Sequence, residues 1–131
     1  MTQTDEITLT LPAERDFFRV AHLVLGGLAV RLNLTFESLE DLQLALDGLL
    51  ERDPGNGDLT VCVSVGDGVV ETLVGPFEDE GRLREELERG PGEDVTLRRI
   101  LDAVVDGVAF EQRDGAQWVR LTKRVERVRA S

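Results

Sequence analysis

The chain has 131 residues, one cysteine (Cys62), one histidine (His22) and a formal net charge of −11. One domain with its own core is expected at this length, and these counts exclude an internal disulfide framework, a cysteine-based zinc cluster and a histidine-rich metal site. The negative charge opposes nucleic acid and anionic membranes as partners, and five Phe, one Trp and no Tyr furnish a poor stacking platform for single strands.

The first residues are polar and acidic, so no signal peptide is read there. The longest apolar stretch, residues 17–32, is short for a membrane span and is interrupted by Arg19, His22 and Arg31. A soluble, cytoplasmic protein is the expectation. Residues 112–131 carry six basic and two acidic groups, leaving nine basic and 24 acidic groups in the preceding part. The basic end from Arg120 to Arg129 is a candidate grip for an acidic partner, with 126–131 as a frayed tail.

Ile7, Leu9 and Leu11 alternate with Thr8 and Thr10, which predicts a half-buried strand over 7–12, stopped by Pro12. Residues 14–32 read as a helix that is apolar on most of its circumference. Gly26 and Gly27 in its middle each cost about 1 kcal/mol relative to Ala, and a close neighbouring element is the expected return. Thr35 or Ser38 caps a second helix, 36–52, with Leu39, Leu42, Leu46, Leu49 and Leu50 on one face and Glu40, Gln43, Asp47 and Glu51 on another. Turn formers fill 53–58.

Residues 59–65 and 69–74 alternate around Gly66-Asp67-Gly68 and predict a hairpin, ended by Gly75-Pro76. A charged helix is read over 79–89, with Leu83 and Leu87 as its thin apolar stripe. Asp94 is placed to cap a helix from 95 to about 106, with Leu97, Ile100, Leu101, Val104 and Val105 buried. Strands 108–112 and 117–124 follow, joined through Asp114-Gly115. Adjacent hairpins imply a mostly antiparallel, mixed sheet with helices on one face, an α+β two-layer sandwich.

This order, with the stretches LEDLQLALDG (39–48) and RRILDAVVDGVAFEQRDGAQWVRLTKR (98–124), resembles the anti-sigma factor serine kinases of the histidine kinase, gyrase and Hsp90 ATPase family. The resemblance spans 7–125 and implies the Bergerat-type ATPase fold. In that family the second helix carries a Glu that orients the attacking group and, four residues on, an Asn that holds Mg²⁺. An i,i+4 pair shares one helix face and meets the phosphates from one side. Here the Glu position falls on Gly48 and the Asn position on Arg52, so no catalytic base is assigned; a one-residue slip offers Asp47 and Glu51.

The family's adenine-binding Asp precedes a glycine by two residues after the third strand. Gly75 and Pro76 match the motif's tail, Leu73 stands at the Asp position, and Asp79-Glu80-Gly81 has the right letters further on. The glycine-rich phosphate lid corresponds to 93–97, which contains no glycine, while Gly90 and Gly92 read as helix punctuation. Glu93 and Asp94 would repel a triphosphate.

The resemblance therefore implies a kinase-like scaffold with a degenerate ATP site: a regulatory binding module of the pseudokinase kind, without cofactor or metal. Asp47, Glu51, Arg52, Gly75, Asp79 and Gly81 remain the nucleotide-binding candidates. The partners it implies are a sigma factor, an anti-sigma-factor antagonist with a phosphorylatable serine, or a second copy. The alternative is an active serine kinase or ATPase using ATP and Mg²⁺, with Asp47, Glu51 and Arg52 replacing the usual groups. His22 is read as a hydrogen-bonded structural histidine, Cys62 as a packing or surface thiol, and Trp118 as core or sheet-face packing.

Overall fold

The computed structural model describes residues 5–50, 57–77 and 97–125. Within them the chain forms β1 (Asp5–Pro12), α1 (Arg15–Leu32), α2 (Phe36–Leu50), β2 (Asp58–Gly66), β3 (Val69–Phe77), α3 (Leu97–Val104), β4 (Gly107–Arg113) and β5 (Ala116–Arg124). The strands lie in the order β1-β2-β3-β5-β4, and every pairing is antiparallel. No parallel pair occurs among the described residues, so the sheet is not mixed there.

Both hairpins turn on Asp-Gly. Asp67 and Gly68 have φ of 54° and 74°, and Asp114 and Gly115 have φ of 51° and 79°. Two consecutive positive φ values follow the natural twist of the flanking strands, and Asp-Gly tolerates them at low energy. The alternation then sorts side chains by face. Leu59, Val61, Val63 and Val65 of β2 are buried, with Val70 and Val74 of β3 and Val119 and Leu121 of β5 on the same side. These join Leu25, Leu28, Leu46, Leu49, Leu50, Leu97 and Leu101 from the helices in one core. The helices cover this single face. Lys123, also facing inward, reaches Asp41 of α2 at 3.1 Å.

The helix ends explain their own sequence. Asn33 closes α1 in a left-handed conformation (φ 56°), with its own N–H on Val30 O and the Leu34 N–H on Ala29 O. Thr35 starts α2: its Oγ1 accepts the Ser38 backbone N–H at 3.2 Å. Asp106, read from the sequence as the end of the last helix, lies beyond α3 and its carboxylate accepts the Arg124 N–H at 2.7 Å.

Two expectations are corrected. The strand before Gly75-Pro76 continues to Phe77, because a register shift between Val74 and Phe77 absorbs the proline and lets pairing with Gln117 resume. Among the described residues the Gly26-Gly27 pair receives no close neighbour: a Cβ on either residue meets none of their atoms within 4 Å. The charged helix expected over 79–89, the cap at Asp94 and residues 53–56 of the expected turn segment lie outside the described residues.

Candidate nucleotide site

The second helix carries the positions that the resemblance matches to the family's catalytic pair, and α2 turns Gly48 and Asp47 in different directions. Gly48 faces α3. A Cβ built there comes within 2.9 Å of Leu97 Cδ1, and Leu97 is 0% exposed. The place where a catalytic carboxylate would begin is therefore filled by the first leucine of α3. The next residue back, Asp47, faces α1. Its Oδ1 lies 2.5 Å from His22 Nε2, and the Gln43 amide donates to the His22 carbonyl at 3.4 Å beside it. His22 is thus the hydrogen-bonded structural histidine expected, and Asp47 is engaged with the neighbouring helix. Glu51 and Arg52 lie outside the described residues.

On β3 the alternation sends Val70, Thr72 and Val74 inward and Glu71, Leu73 and Gly75 to the open face of the sheet. Leu73, at the adenine-acceptor position, is 6% exposed yet stands apart from the main core. Its ladder partners are Cys62 and Arg120. Gly75 lies directly under Trp118: a Cβ there would come within 2.6 Å of the indole Cδ2. The indole takes the place that a side chain would fill, as aromatic residues do over strand glycines. Asp79 and Gly81 lie outside the described residues, as do 93–96 of the lid segment.

Of the six candidates, the structure describes Asp47 and Gly75 and does not bring them together. Asp47 belongs to the helical layer and Gly75 opens onto the opposite side of the sheet. Among the described residues no group of three or more His, Cys, Asp or Glu side chains is placed to hold a metal ion.

The open face has its own electrostatics. Arg120 donates from Nε to Glu111 at 2.8 Å and from Nη1 to Glu71 at 2.8 Å, and Arg113 lies 3.2 Å from the other Glu111 oxygen. The hydrogen bond from Arg120 holds the Glu111 carboxyl below its ordinary value of 4.5, against a smaller opposing push from desolvation. Arg120 is thus committed to two carboxylates of its own sheet and Lys123 to Asp41, which takes both out of the basic grip expected at this end. Glu6 lines the same face, 3.7 Å from the Cys62 thiol and 3.5 Å from the Ser64 hydroxyl that donate toward it. Cys62 is a sheet-face thiol.

No family model matches the chain. It is 27% identical over 136 residues to the serine-protein kinase RsbW of Listeria monocytogenes serotype 4a, covering 90% of this chain and 87% of that protein. The serine-protein kinase RsbW of Oceanobacillus iheyensis is 24% identical over 133 residues, covering 88% and 84%. The chain is thus similar to RsbW serine-protein kinases over most of its length. A crystal structure of the RsbU and RsbW domains of a Mycobacterium tuberculosis protein superposes with a TM-score of 0.67 at 16% identity, covering 94% of this chain and 32% of that longer one. The RsbW-like fold thus extends over nearly the whole chain, and the resemblance read in the sequence to anti-sigma factor serine kinases is borne out. Among the described residues no helix is long and apolar enough to cross a membrane.

The contacts that sequence reasoning missed are Gly48–Leu97, Asp47–His22 and Gly75–Trp118. The glycines were visible, and so were their partners. The pairing was not, because each partner is distant in the chain and nothing local encodes it.

Proposed function

We propose that this RsbW-like chain is a partner-switching regulator that acts by binding proteins and carries out no phosphoryl transfer. The contact between Leu97 and Gly48 carries the reading. A general base at that position needs a carboxylate aimed at the transferred phosphoryl group. Here a buried leucine stands against a glycine, and the adjacent carboxylate turns away to His22. Losing one such group typically raises a barrier by a few kcal/mol, and here the base and the adenine acceptor are both replaced.

What remains is a protein-binding scaffold. Its partners are a sigma factor, which it would sequester, or an anti-sigma-factor antagonist competing for it. Neither ATP nor Mg²⁺ takes part in that cycle. Switching then depends on competition between partners, with no phosphate mark left on either.

The test is nucleotide binding by the full chain. At a ligand concentration one hundred times its dissociation constant, binding stabilises a protein by about 2.7 kcal/mol, a rise in Tm of roughly 10 °C for a domain of this size. Mg-ATP is expected to leave Tm unchanged, and no label should pass from ATP to an antagonist serine. A clear shift that disappears in Asp47→Ala would overturn this reading in favour of the active alternative, whose own mark is label passing from ATP to the serine. Capture from the native cell is expected to recover a sigma factor or antagonist.

A further inference from the structure

The face of the sheet turned away from the helices holds a cavity of about 250 Å³ whose walls are sorted by charge. This volume lies below the roughly 300–1,000 Å³ of pockets for drug-sized ligands, so an occupant has few heavy atoms. The strand register builds the acidic side. Glu6 of β1 stands opposite Ser64 of β2, and Ser64 stands opposite Glu71 of β3. Two carboxylates therefore flank one hydroxyl in a single row, about 10 Å apart at the backbone given the spacing of neighbouring strands. In the next row Leu73 lies between Cys62 and Arg120 and lends the cavity an apolar floor. Arg120 of β5 and Arg113 of β4 form the basic side.

Both sides keep hydrogen-bonding capacity that the fold does not use. Among the described residues Glu6 meets only neutral donors, the Cys62 thiol at 3.7 Å and the Ser64 hydroxyl at 3.5 Å. A charge-assisted partner would sit closer and bind more strongly. Arg120 takes Oε2 of Glu71 at 2.8 Å, which leaves Oε1 without a partner among the described residues. The Ser64 hydroxyl donates to Glu6 and keeps its lone pairs. Three acceptors thus border one side of the cavity, and a primary ammonium has three N–H donors to match them. On the other side Arg113 spends one nitrogen on Glu111 at 3.2 Å. A guanidinium has five donors in a planar fork, so Arg113 retains donors shaped for a carboxylate.

The walls are set before any ligand arrives. Arg120 ties Glu71 of β3 to Glu111 of β4 through two bonds of 2.8 Å, and groups held on paired strands lose little freedom on binding. A simple anion would face Glu6 and Glu71, and a simple cation would face Arg113 and Arg120. A ligand carrying one charge of each sign satisfies both walls.

We infer that this cavity binds a small aliphatic amino acid, with its ammonium on Glu6, Ser64 and Glu71, its carboxylate on Arg113 and its side chain over Leu73 and Cys62. The cavity and the helical layer lie on opposite faces of the sheet, so the site does not depend on whether the chain binds nucleotide.

An NMR titration of the ¹⁵N-labelled full chain with L-alanine, L-valine and L-leucine, each to about 10 mM, tests it. Amides of Ser64, Glu71 and Leu73 are expected to shift and saturate with at least one of the three. Acetate and ethylammonium each carry one end of the ligand and should bind roughly tenfold more weakly or worse. Glu6→Gln and Arg113→Gln should each weaken binding by roughly tenfold. Both side chains are exposed, so Tm should stay at the wild-type value. Cys62 supplies a separate readout: the bound amino acid should slow its alkylation by iodoacetamide several-fold, and Glu6→Gln should lose that protection. The inference is overturned if none of the three amino acids gives saturable shifts, or if acetate or ethylammonium binds as tightly as the amino acid. It is overturned equally if neither substitution changes the affinity.

Discussion

Gly48 on α2 and the Gly26–Gly27 pair on α1 are glycines in the middle of helices, and the space above them differs completely. Gly48 is covered: Leu97 lies where its side chain would grow. Gly26 and Gly27 are bare among the described residues, with Leu23 and Val30 standing out on either side. A missing side chain thus serves internal closure in one helix and leaves an external surface in the other. A third glycine, Gly75, repeats the covered case on the far side of the sheet, with an indole as the cover.

Substitutions that act on this contrast should differ in sign. The largest effect is expected for Leu97→Ala. It empties the covered site and should lower stability by about 3 kcal/mol, read as a fall in denaturation midpoint. Gly48→Glu, which restores an acid at the family's base position, should cost about 2 kcal/mol, because the new side chain must displace Leu97 and lies in a dry contact. Combined with Leu97→Ala, its cost should shrink by about 1 kcal/mol, a coupling that a double-mutant cycle detects and that two independent sites would lack. Gly75→Ala should cost about 1 kcal/mol through the displaced indole. Trp118 is the single tryptophan, so its fluorescence should shift with the loss. Gly26→Ala should go the other way, with stability rising by about 0.5–1 kcal/mol, since the added methyl meets none of the described residues.

The smallest effect is electrostatic. The Glu111 carboxyl is held below 4.5 chiefly by the Arg120 hydrogen bond. A depressed carboxylate stabilises the fold above its unfolded pKa, and that contribution is lost as pH falls through the lower, folded value. Arg120→Gln should therefore reduce stability slightly at neutral pH, and the difference from wild type should vanish in acid. An NMR titration should show the Glu111 midpoint rising in the variant.

Much of the fold was legible because its code is local. Alternation in 59–65 and 69–74 gave β2 and β3, and Asp67-Gly68 and Asp114-Gly115 gave both hairpins. The leucine spacing of 42, 46, 49 and 50 gave the buried face of α2. Gly75-Pro76 misled, because a stop in sequence terms became a register shift once β5 was there to resume the ladder. The candidate site was legible only as a set of mismatches to a family pattern. That Gly48 lacks a carboxylate could be read; that Leu97 fills the gap could not, since it depends on how α3 docks on α2. The same holds for Asp47, whose partner His22 sits on another helix.

The order β1-β2-β3-β5-β4 has one consequence for how the chain assembles. Four of its five strands belong to two local hairpins, whereas the β1–β2 and β3–β5 pairings join distant segments, with Leu9 beside Val61 and Val74 beside Val119. Hairpins close within microseconds, and remote pairings must first overcome the entropy of a long loop. The halves on either side of the β3–β5 junction are natural fragments. Expressed separately, each should carry its own turn, and mixing them should restore the sheet along the β3–β5 line as α3 docks on α2. Amides on β3 and β5 would then become the slowest to exchange with solvent only after the pieces have met.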